Sequence, residues 1–167
     1  MRPETPADVA AIQTVNREAF GQEDEAALVD RLRSAGLVIV SLVATVDGEV
    51  AGHVLFTRLP VHTTNGEFSA VAMAPVAVRP SFQKQGIGSA LVRAGLAACR
   101  EKNESAVFVL GHENYYPRFG FSAALAEKFR GPFAGPAWMA VELTAGALPS
   151  VEGLVRYPAA WNIDQVL

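Results

Sequence analysis

Two glycines ahead of an amphipathic stretch are the residues of this chain best suited to bind an anion. Gly86 and Gly88 follow Lys84, and the run from Ser89 to Lys102 then repeats apolar residues at helical spacing. The first N–H groups of a helix lack internal partners, and the peptide dipole is positive at that end. Glycine has no Cβ, so a phosphate can approach such a backbone closely. The pattern indicates a phosphate site at a helix N-terminus, although an isolated Gly-x-Gly is equally typical of a plain tight turn.

A pair of tyrosines, Tyr115 and Tyr116, offers a second kind of chemistry. A phenol with a pKa near 10 stays protonated at neutral pH, so it can donate a proton without first taking one up. Adjacent tyrosines are also typical of simple packing with a satisfied hydroxyl. The two interpretations stay open at this point.

The elements that hold the glycines follow from the apolar pattern. Phe68 to Val78 is apolar almost throughout, as in a strand covered on both faces. Pro75 predicts a bulge in that strand, and Pro80 ends it because proline has no N–H to give. Ala106 to Leu110 is a short buried strand that completes a strand-helix-strand unit. The glycines therefore lie between a strand and a helix.

Earlier elements are predicted by the same signals. One amphipathic helix begins at Pro6, and a second follows the acidic run from Glu23 to Glu25. Asp47-Gly48 predicts a two-residue hairpin turn between strands at Val38 to Val46 and Glu49 to Leu59. The acids suit the positive end of the second helix.

Later elements are shorter. Gly120 is expected to end a short helix, as a C-terminal glycine does. Leu125 to Pro136 is loop-like, Trp138 to Leu143 alternates as a strand, and Leu154 to Tyr157 is expected to pair late against the sheet. At the other end of the chain, the strand expected before Pro6 is nearly absent.

Two of the three histidines, His53 and His62, have ordinary interpretations. His53 falls inside the strand from Glu49 to Leu59 and is expected to be a residue with a satisfied partner rather than a base. His62 is placed in a polar connector from Val61 to Gly66 that follows this strand. Neither histidine is therefore a candidate for the chemistry.

Composition limits the classes of function. The chain has 167 residues, of which 50% are hydrophobic and 19% charged, and this predicts one domain spanning residues 1–167 with a full core. A net charge of −3 without a basic stripe argues against a nucleic-acid binder. The sequence has no apolar run near the roughly 18 residues that cross a bilayer and no signal-type segment, so a cytoplasmic protein without a membrane partner is expected. Cys99 is the single cysteine and is expected to be a small buried hydrophobe.

Two motifs together resemble a known family. The run from Gln83 to Gly88, directly after a Val-x-Val strand end, resembles the acetyl-CoA signature of the GNAT N-acetyltransferase superfamily. The run from Tyr115 to Phe121 resembles the Tyr-x-x-x-Gly-Phe segment found late in the same fold. Two motifs in the right order are more specific than one. The second motif and the apolar C-terminal tail look most like the YhbS-type N-acetyltransferases.

The resemblance covers about Ala7 to Trp161 and is sharp between Val76 and Phe121. It implies an α/β fold in a single GNAT-like domain, whose mostly antiparallel central sheet is splayed between strands 4 and 5 and has helices on both faces. It also implies acetyl-CoA as the co-substrate and no metal. The cofactor-binding residues that it implies are Val76, Ala77, Val78, Gln83, Lys84, Gln85, Gly86, Ile87, Gly88, Ser89 and Asn114.

Roles for three residues follow from the same resemblance. Tyr116, four residues before Gly120, takes the position of the general acid that protonates the departing thiolate, with Tyr115 as the alternative. The N–H of Val78 takes the position that polarises the thioester carbonyl. The loop then contributes by fixing geometry, which lowers the entropy cost of bringing amine and thioester together.

The base is the point at which this chain departs from the family. Many relatives place a glutamate on the fourth or fifth strand, but neither matching run here contains a carboxylate. Glu113, His112 and Glu67 lie at strand ends and could act directly or through water, with Glu113 as the candidate. A water relay or an acceptor amine of low pKa would serve equally well.

Two functions of different classes remain open. The first is an acetyl-CoA-dependent N-acetyltransferase acting on a primary amine of a small molecule or peptide, by direct attack in a ternary complex. The second is a non-catalytic acyl-CoA-binding or regulatory module that lost its base. A nucleotide-binding enzyme is disfavoured, because the loop lacks the Gly-Lys-Ser/Thr ending of a P-loop. A monomer and a homodimer are both compatible with the sequence.

Overall fold

The computed structural model describes residues 1–163, which form two compact units. The first comprises Met1–Thr57 with Met73–Ala98, and the second comprises Arg58–Ala72 with the described residues from Cys99 onward. The helices and strands in chain order are β1 Arg2–Pro3, α1 Val9–Phe20, α2 Asp24–Ser34, β2 Val38–Val46, β3 Glu49–Thr63, β4 Gly66–Val78, α3 Ile87–Glu101, β5 Ala106–Leu110, α4 Ala123–Ala126, β6 Phe129–Arg130, β7 Trp138–Glu142 and β8 Gly153–Val155. Residues of β3 and β4 belong to both units, and the expected single domain stays a prediction.

The first unit contains β1, β2, the first part of β3 and the last part of β4, in that spatial order. The predicted hairpin is confirmed: β2 and β3 are antiparallel, and Asp47 and Gly48 both adopt positive φ, at 50° and 81°. Two residues of positive φ make the tight turn whose twist matches the strands. The first strand, which the sequence shows as nearly absent, is two residues long, with Arg2 and Pro3 paired to β2.

Helices cover both faces of the sheet in this unit. On β3, the Nδ1 of His53 lies 3.4 Å from Asn16 of α1. At the neighbouring residue, a Cβ on Gly52 would lie 2.9 Å from Leu91 of α3. Because successive strand residues point to opposite faces, α1 and α3 lie on opposite sides of β3. Gly95 of α3 allows close packing, since a Cβ there would overlap the ring of Phe56.

The second unit is built around β5. This strand pairs in parallel with β4 at Val71↔Val107 and Ala72↔Phe108, and it pairs with β7 over five antiparallel positions. The last two residues of β5, Val109 and Leu110, pair with β7. The pairing of β4 with β5 over two residues is the pattern expected of a splayed sheet.

Two predictions about the second unit are wrong in part, because β8 pairs with the end of β3 and with β6. β8 pairs with the end of β3, where Val61 and His62 face Val155 and Leu154. The connector predicted from Val61 to Gly66 is therefore wrong in its first half, because β3 continues to Thr63, where it pairs with β8. Leu125 to Pro136 is not all loop, since it contains the end of α4 and the strand β6, which pairs with β8.

Two further expectations are confirmed, the helix after the glycines and the burial of Cys99. The helix predicted from Ser89 begins two residues earlier, at Ile87, so Gly88 lies in its first turn. Cys99 is fully buried, and burial raises the pKa of its thiol to about 12. Within residues 1–163, every helix is too short or too polar to cross a bilayer.

Candidate active site

The loop between β4 and α3 is tied to the strands at its start. The backbone N–H of Arg79 donates to the carbonyl of Ala51 on β3 at 2.9 Å. The side-chain amide of Gln83 donates to the carbonyl of Val78 at 2.9 Å, so the loop folds back on the end of β4. These bonds hold the strand end and the loop in one arrangement.

The side chain of Arg79 ties the start of this loop to α1 and β3. Its Nε donates to Glu18 of α1 at 2.8 Å, and its Nη1 lies 3.6 Å from Glu49 of β3. The hydrogen bond to Glu18 raises the pKa of Arg79. The sequence reasoning missed this residue, because its partners are distant in the chain.

The turn into α3 uncovers the backbone at Gly86. Lys84 and Gly86 adopt positive φ, at 61° and 83°, and the N–H of Ala90 is bonded to the carbonyl of Gly86 at 3.0 Å. Helix geometry leaves the amides of Ile87 and Gly88, which precede that bond, without an intrahelical acceptor. A Cβ on Gly86 would meet no atom within 4 Å, so the backbone there faces open space. These residues fit a diphosphate, which needs close approach to several amides.

Gly52 sets the distance between β3 and this helix start. A Cβ at Gly52 would lie 3.1 Å from the carbonyl oxygen of Ala77 and 3.1 Å from Ile87, in addition to its contact with Leu91. Any side chain would therefore push the strand end and the first turn of α3 apart. The signal in the sequence is a glycine inside a strand pattern, which is typical of close backbone approach.

The tyrosine segment forms a tight turn after β5. The N–H groups of Tyr115 and Tyr116 both donate to the carbonyl of His112, at 3.0 and 3.3 Å. A single 3-10 turn, Tyr116–Phe119, follows, and Gly120 ends it with a φ of 94°. This confirms the predicted short helix and its glycine, as a tighter 3-10 turn.

Tyr116 is enclosed by aromatic rings and by Gly111. Its ring lies 5.1 Å from that of Tyr115 and 5.8 Å from that of Phe121. A Cβ on Gly111 would overlap the Tyr116 ring, so only glycine leaves room for it there. Burial raises the pKa of Tyr116 to about 12, with a smaller contribution from Tyr115. This pKa keeps the phenol protonated at neutral pH, and within residues 1–163 its hydroxyl makes no hydrogen bond.

Comparison with known proteins identifies the family. The family model described as the acetyltransferase (GNAT) domain matches residues 1–124. The chain belongs to the GNAT acetyltransferase family. It is thus an acetyltransferase, as the two motifs predict.

Relatives of this GNAT acetyltransferase match it over nearly its whole length. It is 37% identical to the uncharacterised N-acetyltransferase YhbS of Escherichia coli over 97% of this chain and 98% of that one. A crystal structure of Escherichia coli YhbS in complex with CoA matches 96% of this chain and 90% of that one with a TM-score of 0.86. A GNAT acetyltransferase from Brucella melitensis in complex with acetyl-CoA is 34% identical, with a TM-score of 0.78 and 96% of each chain covered. The fold and the resemblance to the YhbS type are confirmed.

Three other candidate residues of this GNAT acetyltransferase lie beside Tyr116 in the sequence, and a fourth, Glu67, lies in β4. Tyr115 is half-buried, and the guanidinium of Arg118 lies over its ring at 4.4 Å. Glu113 and Asn114 are exposed in the turn between β5 and the tyrosines. Glu67 lies inside β4 and 3.3 Å from His62, so this strand does contain a carboxylate, at its exposed start.

Proposed function

We propose that this chain is an acetyl-CoA-dependent N-acetyltransferase that acetylates a primary amine of a small molecule or peptide by direct attack in a ternary complex. The observation that carries the proposal is the uncovered start of α3, where amides follow a glycine in open space. Relatives at 37% and 34% identity are described in complex with CoA and acetyl-CoA, which supports the same ligand here. When bound, acetyl-CoA supplies the acetyl group as an activated thioester.

The residues of the loop bind and orient in this proposal. The amides from Ile87 onward receive the diphosphate, with Lys84 as the nearby cation and Gln83 holding the loop to the strand end. The N–H of Val78 is the donor for the thioester carbonyl, where negative charge develops during attack. Positioning of this kind lowers the entropy cost of the reaction.

Tyr116 holds the proton that the departing thiolate needs. Its pKa near 12 keeps the proton on the phenol at every physiological pH, and its hydroxyl has no competing partner within the described part of the chain. The role itself rests on the family motif. Glu113 is the candidate for the group that takes the proton from the attacking amine, and a water relay or an amine of low pKa are the alternatives.

Release of CoA thiol is the direct test. Acetyl-CoA is incubated with the protein and a panel of primary amines, namely amino acids, aromatic amines, polyamines, aminoglycosides and peptides, and free thiol is measured together with N-acetylated product. We expect thiol release that depends on one class of amine. Tight acetyl-CoA binding by calorimetry without thiol release for any amine would instead favour the non-catalytic binding module.

A further inference from the structure

A cavity of about 700 Å³ lies in the second unit, between α4, β6 and the segment that leads into β7. Its size falls within the range of roughly 300 to 1,000 Å³ that is usual for small-molecule sites. Three aromatic residues give it an apolar wall: Phe129, Phe133 and Trp138. Small residues of α4 and of the segment before β7 leave its mouth open.

The cavity and Tyr116 lie on opposite faces of the ladder formed by β5 and β7. Trp138 stacks on Phe108 at 5.1 Å, which places both rings on one face. Val141, three residues after Trp138, points to the other face, and its Cγ2 is 3.4 Å from the position of a Cβ on Gly120. The tyrosine turn that ends at Gly120 is therefore on the face away from the cavity.

The exposed end of β5 continues the apolar wall. Leu110 pairs directly with Trp138, so the two side chains share a face, and 46% of Leu110 is exposed to solvent. An exposed leucine beside an aromatic cavity extends the apolar surface that a ligand can cover.

Two opposite charges stand at the mouth of the cavity. Glu127 and Arg130 both line it, both are exposed, and within residues 1–163 neither makes an ion pair or a hydrogen bond. A guanidinium binds a carboxylate through two parallel hydrogen bonds, and a carboxylate attracts an ammonium group. The rim is complementary to a zwitterion, and the interior is complementary to a ring or a branched aliphatic group.

We propose that this cavity, on the face away from Tyr116, is a binding site for an α-amino acid with an aromatic or large aliphatic side chain. The side chain lies among Phe129, Phe133 and Trp138, the carboxylate lies on Arg130, and Glu127 attracts the ammonium group. The site is separate from the proposed catalytic residues. The binding site itself can be tested without acetyl-CoA.

Fluorescence of Trp138 reports on occupancy directly. The chain contains two tryptophans, so Trp161→Phe leaves Trp138 as the only tryptophan, whose emission can be excited separately from that of the tyrosines. L-Phenylalanine should change this emission saturably, 2-phenylethylamine should bind about tenfold more weakly because it lacks the carboxylate, and spermidine should cause no change. Calorimetry on the unsubstituted protein checks the same three ligands. No response to L-phenylalanine in either measurement would overturn the inference.

Two matched pairs of variants localise the binding. Ala124→Phe on α4 places a ring in the cavity and should abolish L-phenylalanine binding, whereas Ala97→Phe, on an exposed position of α3, should leave it unchanged. Arg130→Gln should weaken L-phenylalanine about tenfold and leave 2-phenylethylamine unchanged, and Arg100→Gln should affect neither. Normal binding to folded Ala124→Phe would contradict the assignment.

Thiol release separates the two proposals. Binding of L-phenylalanine in the cavity with no thiol release for any amine would overturn the proposed function and leave the binding site in place. Thiol release with other amines, but with no binding of L-phenylalanine, would overturn this inference alone.

Discussion

The hydroxyl of Ser41 lies 2.9 Å from the Nε2 atom of His53, in the core of the first unit. The same hydroxyl donates to Oε2 of Glu4 at 2.5 Å, and Glu4 is paired with Arg33 at 3.0 Å, so its carboxylate is charged. Since Ser41 has one proton and gives it to Glu4, it must accept from His53. His53 therefore carries a proton on Nε2, and its Nδ1 faces Asn16. Burial lowers the pKa of His53 to about 4, so the ring is neutral near pH 7.

Stability should depend on pH through His53. Burial lowers its pKa to about 4, with a smaller opposing effect of Glu4, whereas an unfolded histidine titrates near 6.5. The unfolded state thus binds more protons between these values, so stability is complete above pH 6.5 and falls as the pH drops toward 4. We expect a loss of roughly 2 kcal/mol between pH 7.5 and 5 relative to His53→Gln.

Urea unfolding of both proteins across this range gives the difference directly. The pKa of Glu4 is also lowered, so its contribution is lost at lower pH than that of His53, below its usual value of 4.5. Equal pH slopes for the two proteins would contradict the neutral buried histidine.

A negative charge at position 86 should strongly weaken the binding of acetyl-CoA. Gly86 has a φ of 83°, and a Cβ there meets open space, so a side chain strains the backbone without colliding with a neighbour. Gly86→Asp and Gly86→Asn share their shape, and asparagine and aspartate both tolerate this conformation. Because the carboxylate repels phosphate, we expect acetyl-CoA to bind to the Asp variant at least about 100-fold more weakly than to the Asn variant.

Calorimetric titration with acetyl-CoA measures both affinities, and circular dichroism checks that both variants are folded. Equal affinities for the two folded variants would mean that the diphosphate does not lie at this loop.

Removal of the Tyr116 hydroxyl should affect turnover far more than cofactor affinity. We expect Tyr116→Phe to lower kcat by about 10² to 10⁴, the range for loss of a general acid, with an unchanged Kd for acetyl-CoA. Because the pKa of Tyr116 is about 12, the unsubstituted enzyme should show no loss of kcat from this group up to about pH 11. Thiol release under saturating substrates measures the effect.

Tyr115→Phe is the matched variant at the neighbouring position. A large loss of turnover there, with little loss in Tyr116→Phe, would transfer the acid role to Tyr115.

A methyl group at Gly111 should displace Tyr116. The added Cβ would overlap the tyrosine ring, so Gly111→Ala should destabilise the fold by about 1 to 3 kcal/mol and also lower kcat. The same substitution in a Tyr116→Ala background should cost little stability, since the ring is gone. Denaturant unfolding of the unsubstituted protein, the two single variants and the double variant measures the coupling between the two positions. Additive losses of stability would show that the position of the Tyr116 ring does not depend on Gly111.

Local patterns in the sequence were enough to place the hairpin at Asp47-Gly48, the strand β5 and the helix that starts beside Gly86. Each of these elements depends on turn residues or on apolar periodicity within a short segment. Such signals act on the backbone of the segment that contains them. The motif around Tyr116 is equally local. The sequence alone therefore determined the family, the position of the loop before α3 and the tyrosine turn.

Only the tertiary structure decided which distant side chains meet. The pair of Arg79 with Glu18 spans 61 residues, and the cavity with Arg130 at its mouth needs β6 to pair with β8. The end of β3 and the whole of β6 were missed because β8, the strand that pairs with both, comes later in the chain. Contacts of this kind depend on which faces of helices and strands are packed together, and side-chain periodicity gives the face but not its partner.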